Sequence, residues 1–412
     1  MEEPTRRVAA RRERPPLDTG SPRRISEHPL PKSARMRRRE FLALAGGVAI
    51  YTALRPSLAL ANRAAQLDGG LQPWTLPAEP SGNPLDRARA LIGVAVLAPS
   101  HWNAQPWRFE AEGDEIRLLA EGARALPAID PDRRSMMLGL GAALENLLIA
   151  ARAWGLQPTV EYFPSALAYD VVARVTLARG GPRRDEALFE MIPERRTNRR
   201  GYDGRGIYPQ NRAQLMAQFS EDTHIHWLDD HVRLRELADL AHDATREEGE
   251  DRRAAKEQAA WMRADDEARR HGDGVIVGAL EYPGLAHWMP GRAFDPDSWF
   301  HRFGVESAAR QARDGVRSSG AAALITTARG GASAWLAAGQ TCQRFALRAT
   351  QLGISLQPLS APLEVERARA PLLGHFDAVG EEPALLVRLG HASQPDPAVR
   401  RGVALVASFR TT

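Results

Sequence analysis

Two stretches of the chain carry the same hydrophobic rhythm. Residues 141–155, G-A-A-L-E-N-L-L-I-A-A-R-A-W-G, align with residues 339–353, G-Q-T-C-Q-R-F-A-L-R-A-T-Q-L-G, at a constant offset of 198. Leu144 meets Cys342, Leu147 meets Phe345, and Ala151 meets Ala349. Apolar residues at steps of three and four predict a helix with one buried stripe in each stretch, closed by a glycine that can adopt the left-handed cap. A short strand is predicted after each helix, over 159–163 and 355–359, and a further β-rich run at 171–177 and 384–389. The same order occurring twice argues that the chain is a duplication.

The remaining pattern fills in two halves. Pro84 opens a predicted helix over 86–97. Residues 107–111 and 115–120 read as a hairpin about Glu112-Gly113-Asp114. The Gly- and Pro-bearing run 179–184 reads as a joint, so half one spans 62–180 and half two 185–412. Half two is longer because of an insertion at 240–318. Its first part, 244–270, is highly charged and helical. Its second part, 275–303, carries Tyr282, Trp288, Phe294, Trp299, Phe300 and Phe303, an aromatic density that suggests a lid over something flat and apolar.

Charge changes the picture at the N-terminus. Residues 1–35 hold 9 Lys/Arg and 5 Asp/Glu, and 36–61 hold 4 and 1; of the totals of 55 and 51, this leaves 42 and 45, about −3, for 62–412. The basic excess belongs to the leader, and no nucleic-acid-binding body is expected. Within 36–61, Arg37-Arg38-Arg39-Glu40-Phe41-Leu42 precedes an apolar run to Tyr51 and then Ala59-Leu60-Ala61. This resembles a twin-arginine signal with an A-x-A processing site, and implies export by the twin-arginine machinery to a periplasmic or membrane-associated location. Residues 1–35 read as a disordered or untranslated extension. The single cysteine, Cys342, excludes an internal disulfide; its Leu-equivalent position predicts a small buried hydrophobe. His224 and His226 share one face of a strand-like run, with no further ligand in sight, so no metal site is expected.

Two stretches carry chemistry. Residues 98–109, A-P-S-H-W-N-A-Q-P-W-R-F, end a helix and lead into a strand. Pro99 stops the helix, while Ser100 and Asn103 offer short hydrogen-bonding groups at a fixed edge. Residues 194–202, E-R-R-T-N-R-R-G-Y, supply Arg195, Arg196, Arg199 and the Thr197 hydroxyl; in extended backbone Arg195, Thr197 and Arg199 point the same way, a fork suited to a phosphate.

Together these stretches resemble the nitroreductase superfamily. The A-P-S-H-W-N-A-Q-P-W loop is similar to that family's FMN-contacting loop, A-P-S-x-x-N-x-Q-P-W, and R-R-T-N-R to its phosphate motif, R-x-S-x-R. The resemblance implies an α+β, three-layer α-β-α fold with two half-copies fused into an internal pseudo-dimer, the layout of the dormancy-associated branch. The loop of half one would meet the basic motif of half two, giving one complete FMN site in a monomer. Carried over by position, Arg195, Arg196, Thr197 and Arg199 would hold phosphate, ribityl and pyrimidine. Pro99, Ser100, His101 and Asn103 would line the other side. Pro358, Leu359, Ser360 and Ala361 would run along the flavin edge, where the family commonly has Glu-Gly, and Arg400 would clamp the phosphate. No catalytic side chain is implied, because the flavin carries the chemistry. The expected function is hydride transfer to a small nitroaromatic or quinone-like acceptor, with NAD(P)H or another donor. The alternative is a flavin-sequestering protein whose lid excludes nicotinamide.

Overall fold

The computed structural model describes residues 74–80, 82–165, 170–218, 222–280 and 295–410. The twin-arginine segment, the extension before it, and Tyr282, Trp288 and Phe294 lie outside these residues.

The first helix, α1 (Pro84–Ala95), starts where the sequence provides a start: Asn83 Oδ1 accepts the Leu85 N–H at 2.9 Å and Pro84 sits in the first turn. The hairpin β1 (Trp107–Glu112) and β2 (Glu115–Ala120) follows. Next come α2 (Arg134–Ala153), β3 (Gln157–Tyr162) and β4 (Val171–Ala178). The buried Asp130 carboxylate caps α2 by accepting the N–H groups of Ser135 and Met136 at 3.0 and 2.9 Å. Helix α3 (Pro209–Met216) then leads to β5 (Thr223–Leu228). The insertion contains α4 (His231–Glu250), α5 (Arg252–Trp261), β6 (Met262–Arg263), α6 (Asp265–His271), β7 (Val275–Ile276) and α7 (His301–Arg317). The chain closes with β8 (Ala321–Thr327), α8 (Ala332–Gln351), β9 (Ser355–Pro358), α9 (Glu366–His375), β10 (Glu382–Gly390) and β11 (Ala407–Arg410).

One plan is used twice. The first sheet runs β11-β1-β2-β4-β3 and the second β5-β8-β10-β9. Leaving out β11, each is an antiparallel four-strand sheet in which a long helix follows the second strand. The offset of 198 carries both ends of α2 onto both ends of α8. The tight turn of the first hairpin corresponds to the whole insertion between β5 and β8. The last strand, β11, leaves half two and pairs parallel with β1, opposite Phe109 through Glu112.

The two long helices cross at their equivalent glycines. A Cβ on Gly141 would stand 2.1 Å from the Leu336 carbonyl oxygen and 2.9 Å from Gly339 Cα; one on Gly339 would stand 2.3 Å from the Leu138 oxygen. Beyond the crossing, Arg344 Nη1 donates to Glu145 at 2.9 Å and Gln343 Nε2 to Asn146 at 2.6 Å. The offset turns Glu145 into Gln343 and Asn146 into Arg344, so these two contacts exchange under it. Helix α2 is apolar and long enough to cross a bilayer by composition, yet 89% of that window is buried among the other elements, as a core helix would be.

Strand β8 is buried along its whole length. Ala322 and Leu324 pack with Leu234, Leu237 and Leu386 on the α4 side, while Ala321, Ala323 and Ile325 pack with Phe345 and Val387 on the α8 side. Half two is thus three layers: α4 and α7, then the sheet, then α8. In half one, Leu91, Phe109, Leu118, Leu140 and Leu147 join α1, α2 and the first sheet in one core.

Candidate functional site

A cavity of about 300 Å³ lies between the halves, at the low end of the range for small-molecule sites. Four segments distant in sequence wall it. The loop after α1 contributes Pro99, Ser100, His101 and Trp102; the basic stretch contributes Arg195, Thr197 and Arg199; the segment after β9 contributes Leu359, Ser360 and Ala361, with Pro358 at the strand end. The insertion supplies Ala241, Thr245 and Glu248 from α4 and Ala308, Gln311 and Ala312 from α7. The jaws foreseen from sequence therefore meet: Arg195 Nη2 donates to the Leu97 carbonyl at 3.4 Å.

Asn103, Arg196 and Arg400 are corrections to the expected lining. Asn103 and Gln105 sit at φ 53° and 51°, in the left-handed region, which turns both side chains away from the cavity. Asn103 Nδ2 donates to the Gly274 and Val399 carbonyls at 3.0 and 3.1 Å, and its Oδ1 accepts from Arg400 Nη1 at 2.9 Å. Gln105 is fully buried; it donates to Gly272 O at 2.7 Å and accepts the Arg401 N–H at 2.9 Å. These two amides fasten the loop to the insertion and to the C-terminal segment. Gln105→Ala leaves two buried backbone groups unpaired, and a loss of about 2 kcal/mol in urea unfolding is expected.

Arg196 and Arg400 lie behind the wall, with guanidinium carbons 4.6 and 4.9 Å from the Trp74 ring centre. Among the described residues Arg195, Arg196 and Arg400 form no salt bridge, and each keeps a buried Nε–H without an acceptor. Burial, reinforced by the Arg196 charge, pushes Arg195 down to about 10. Burial and the charges of Arg195 and Arg196 hold Arg400 well below the ordinary guanidinium range. Buried cations without counter-charges are costly unless an anion completes them. Of this group only Arg195 lines the cavity, beside Thr197.

The opposite wall is acidic and was not foreseen. Arg134, Glu248 and Glu364 cluster with His101; His101 Nδ1 is 3.5 Å from Glu364 Oε1, and Arg134 Nη2 is 4.0 Å from the same oxygen. Burial, then the Arg134 charge, pushes His101 down to about 4, so its ring is neutral at pH 7. Only three-dimensional proximity assembles this group, since its members come from a loop, two helices and the turn after Ser360.

Two further expectations change. Cys342 is half-buried and borders the cavity beside Gln343, whereas its counterpart Leu144 is fully buried in the core, so the halves differ here. Burial pushes its thiol up. The exposed faces of Trp299 and Phe303 do not cover the cavity; α7 buries Val305, Ala309 and Val316 instead, and its small residues and those of α4 form the cover. Away from the cavity, Glu381 joins the histidine pair: its Oε2 is 3.1 Å from His224 Nδ1 and 3.0 Å from His226 Nε2, and the three ligating atoms lie within 4.8 Å of one another. Burial opposes the Glu381 charge, but the Thr326 hydroxyl and the two imidazoles outweigh it and hold the carboxyl below its usual range.

No family model matches the sequence. A Mycobacterium tuberculosis H37Rv protein provisionally named an NAD(P)H nitroreductase is 26% identical over 318 residues, covering 74% of this chain and 86% of that one. A second from the same strain, provisionally named NAD(P)H nitroreductase acg, is 38% identical over 80 residues, 19% of this chain and 24% of its own. Among solved structures, the FMN-dependent nitroreductase NfnB from Mycobacterium smegmatis in complex with NADPH is 13% identical, covers 55% of this chain and 98% of its own, and superposes at a TM-score of only 0.35. The first similarity extends over about three quarters of this chain, more than either half alone.

Proposed function

We propose that the protein is an FMN-binding oxidoreductase of the nitroreductase type that passes hydride equivalents to a small nitroaromatic or quinone-like acceptor. The observation that carries this reading is Arg195: a guanidinium 3% exposed, with no salt bridge among the described residues, facing the same cavity as Thr197 and residues 99–101. These residues fit the phosphate end of a flavin mononucleotide. Arg195 and Thr197 would hold the phosphate, with Arg196 and Arg400 supporting its charge from behind. Pro99, Ser100 and His101 would bound the ring from one side and Leu359, Ser360 and Ala361 from the other. A bound flavin supplies the two-electron chemistry. The chain supplies position, a water-poor cavity and a fixed cationic field. The names of the mycobacterial relatives support NAD(P)H as the donor. The R-R-R-E-F-L stretch supports export by the twin-arginine route, and the repeated plan supports a duplicated monomer acting as its own dimer.

The cover over the cavity favours a second reading, flavin storage. Helices α4 and α7 from the insertion wall the cavity on the side left open by the two motif stretches. One experiment separates the readings. Purified protein incubated with FMN and desalted is expected to stay yellow, and bleaching on addition of NADPH supports the reductase. Bleaching by dithionite alone supports storage, and a colourless protein defeats both.

A further inference from the structure

We propose that Glu248, on the insertion helix α4, is the proton donor to the acceptor in this cavity, and that Glu364 behind it shares and positions its proton. This rests on the flavin reading above.

The geometry is specific. Glu248 lines the cavity and Glu364 does not; the two carboxyls lie within hydrogen-bonding reach of each other. Among the described residues, both buried oxygens of Glu364 and Oε1 of Glu248 have no hydrogen-bond donor. Two ionised carboxylates buried side by side repel each other, so the pair is favoured when one carries a proton. The groups facing the pair leave it in that state. Facing Glu364 among the described residues are Glu248, Arg134, Asp130 and His101, with Arg134 Nη1 already donating to Leu363 O at 3.2 Å. Toward Glu248 there are Gln258 and Asp251 from α5 and its cap. His101 is held neutral beside them. Burial, followed by the neighbouring Glu248 carboxyl, raises Glu364 well above the usual range. Such carboxyl pairs retain one proton at neutral pH.

The chemistry needs this proton. Hydride transfer to a quinone places an electron pair and one hydrogen on the acceptor, and one proton completes the hydroquinone; for a nitro group, hydride and one proton give the nitroso compound and water. The single proton of the pair passes from the Glu364 carboxyl to Glu248 and from Glu248 Oε to the acceptor oxygen, and the pair, then fully ionised, recovers one proton from solvent. The hydride comes from reduced flavin, which the preceding reading supplies.

Two measurements test this. First, without any flavin, infrared titration of the full chain should show a carboxylic-acid carbonyl band at pH 7 that is missing in Glu364→Gln. The same variant should gain stability over wild type at pH 8 and not at pH 4. The sign follows because a raised carboxyl holds extra protons in the fold, a contribution lost as pH rises. Absence of that band in wild type overturns the proposal. Second, protein with bound FMN, reduced by dithionite, is mixed with benzoquinone. Reoxidation should slow on the order of a hundredfold in Glu248→Gln, with a solvent deuterium effect in wild type. If Glu248→Gln does not fold, Glu248→Asp and the wild-type isotope effect serve. Yellow protein with equal rates in wild type and variant, or wild type that benzoquinone does not reoxidise, sinks the proton-donor assignment alone. Colourless protein with an intact infrared band sinks the flavin reading and, with it, the acceptor chemistry.

Discussion

Arg195→Met is expected to do two opposite things: stabilise the ligand-free protein and abolish flavin retention. The first follows from the cost of the buried charge. With its pKa pushed down to about 10 from an ordinary 12.5, the guanidinium disfavours the fold at pH 7 by on the order of 3 kcal/mol, at 1.36 kcal/mol for each tenfold. A base lowered in the fold is penalised while protonated, so the penalty is present at pH 7 and fades only as pH rises past 10. Methionine keeps the apolar stem and removes the charge, and a gain of about 1–3 kcal/mol is expected in urea unfolding of the apoprotein. The second follows from the lost charge-assisted bonds to phosphate. Removing one partner of a buried charged contact costs about 3 kcal/mol, roughly a hundredfold in Kd. Titration of FMN against protein absorbance measures it. A variant that binds FMN as wild type does would show that Arg195 is a structural cation, and the phosphate assignment would fail.

The crossing of signs also explains what could be read before the structure. The loop at 98–109 and the fork at 195–199 are local sequences whose chemistry exceeds any structural need, so both were visible, and the 198-residue repeat said which half each belonged to. The repeat even forecast the glycine pair at the helix crossing without saying that the two glycines touch. What could not be read was direction. The left-handed backbone at Asn103 and Gln105 turns two amides outward, and no one-dimensional pattern reports that for non-glycine residues. Arg400 looks like a phosphate clamp in sequence; stacking on Trp74 sets it one layer back. Glu248 was hidden in a charged helical run, where a solvated face is the ordinary outcome. It is the packing of α4 on half two's sheet, through Leu234, Leu237 and Ala241, that turns this one carboxyl inward. The exposure of Phe303 was hidden for the same reason: it depends on which stripe of α7, here Val305, Ala309 and Val316, turns inward.

Gly141→Ala is expected to be among the most damaging single added methyl groups in the described residues. The added carbon would lie 2.1 Å from the Leu336 carbonyl oxygen and 2.9 Å from Gly339 Cα, and both obstacles are backbone atoms. No side-chain rotation relieves them, so α2 and α8 must separate. Alanine's better helix propensity returns about 1 kcal/mol, and overpacking of a rigid contact costs about 3 kcal/mol or more, leaving a net loss of at least about 2 kcal/mol in urea unfolding. Gly339→Ala meets the Leu138 oxygen at 2.3 Å and should cost a similar amount. The double variant should cost less than the two losses combined, because the first methyl already opens the crossing that the second needs; contacts sharing one backbone shift couple in this way. The damage should reach the site. Gly139 and Ala142 of α2, and Cys342, Gln343 and Phe345 of α8, wall the same cavity. Parting the helices moves the loop that leans on Gly139, whose Cβ position lies 3.4 Å from Ser100 Cβ, away from Arg195. FMN affinity should therefore fall in Gly141→Ala although neither the loop nor the arginines are altered. Stability and affinity both unchanged would mean that the two halves do not depend on this crossing for their alignment.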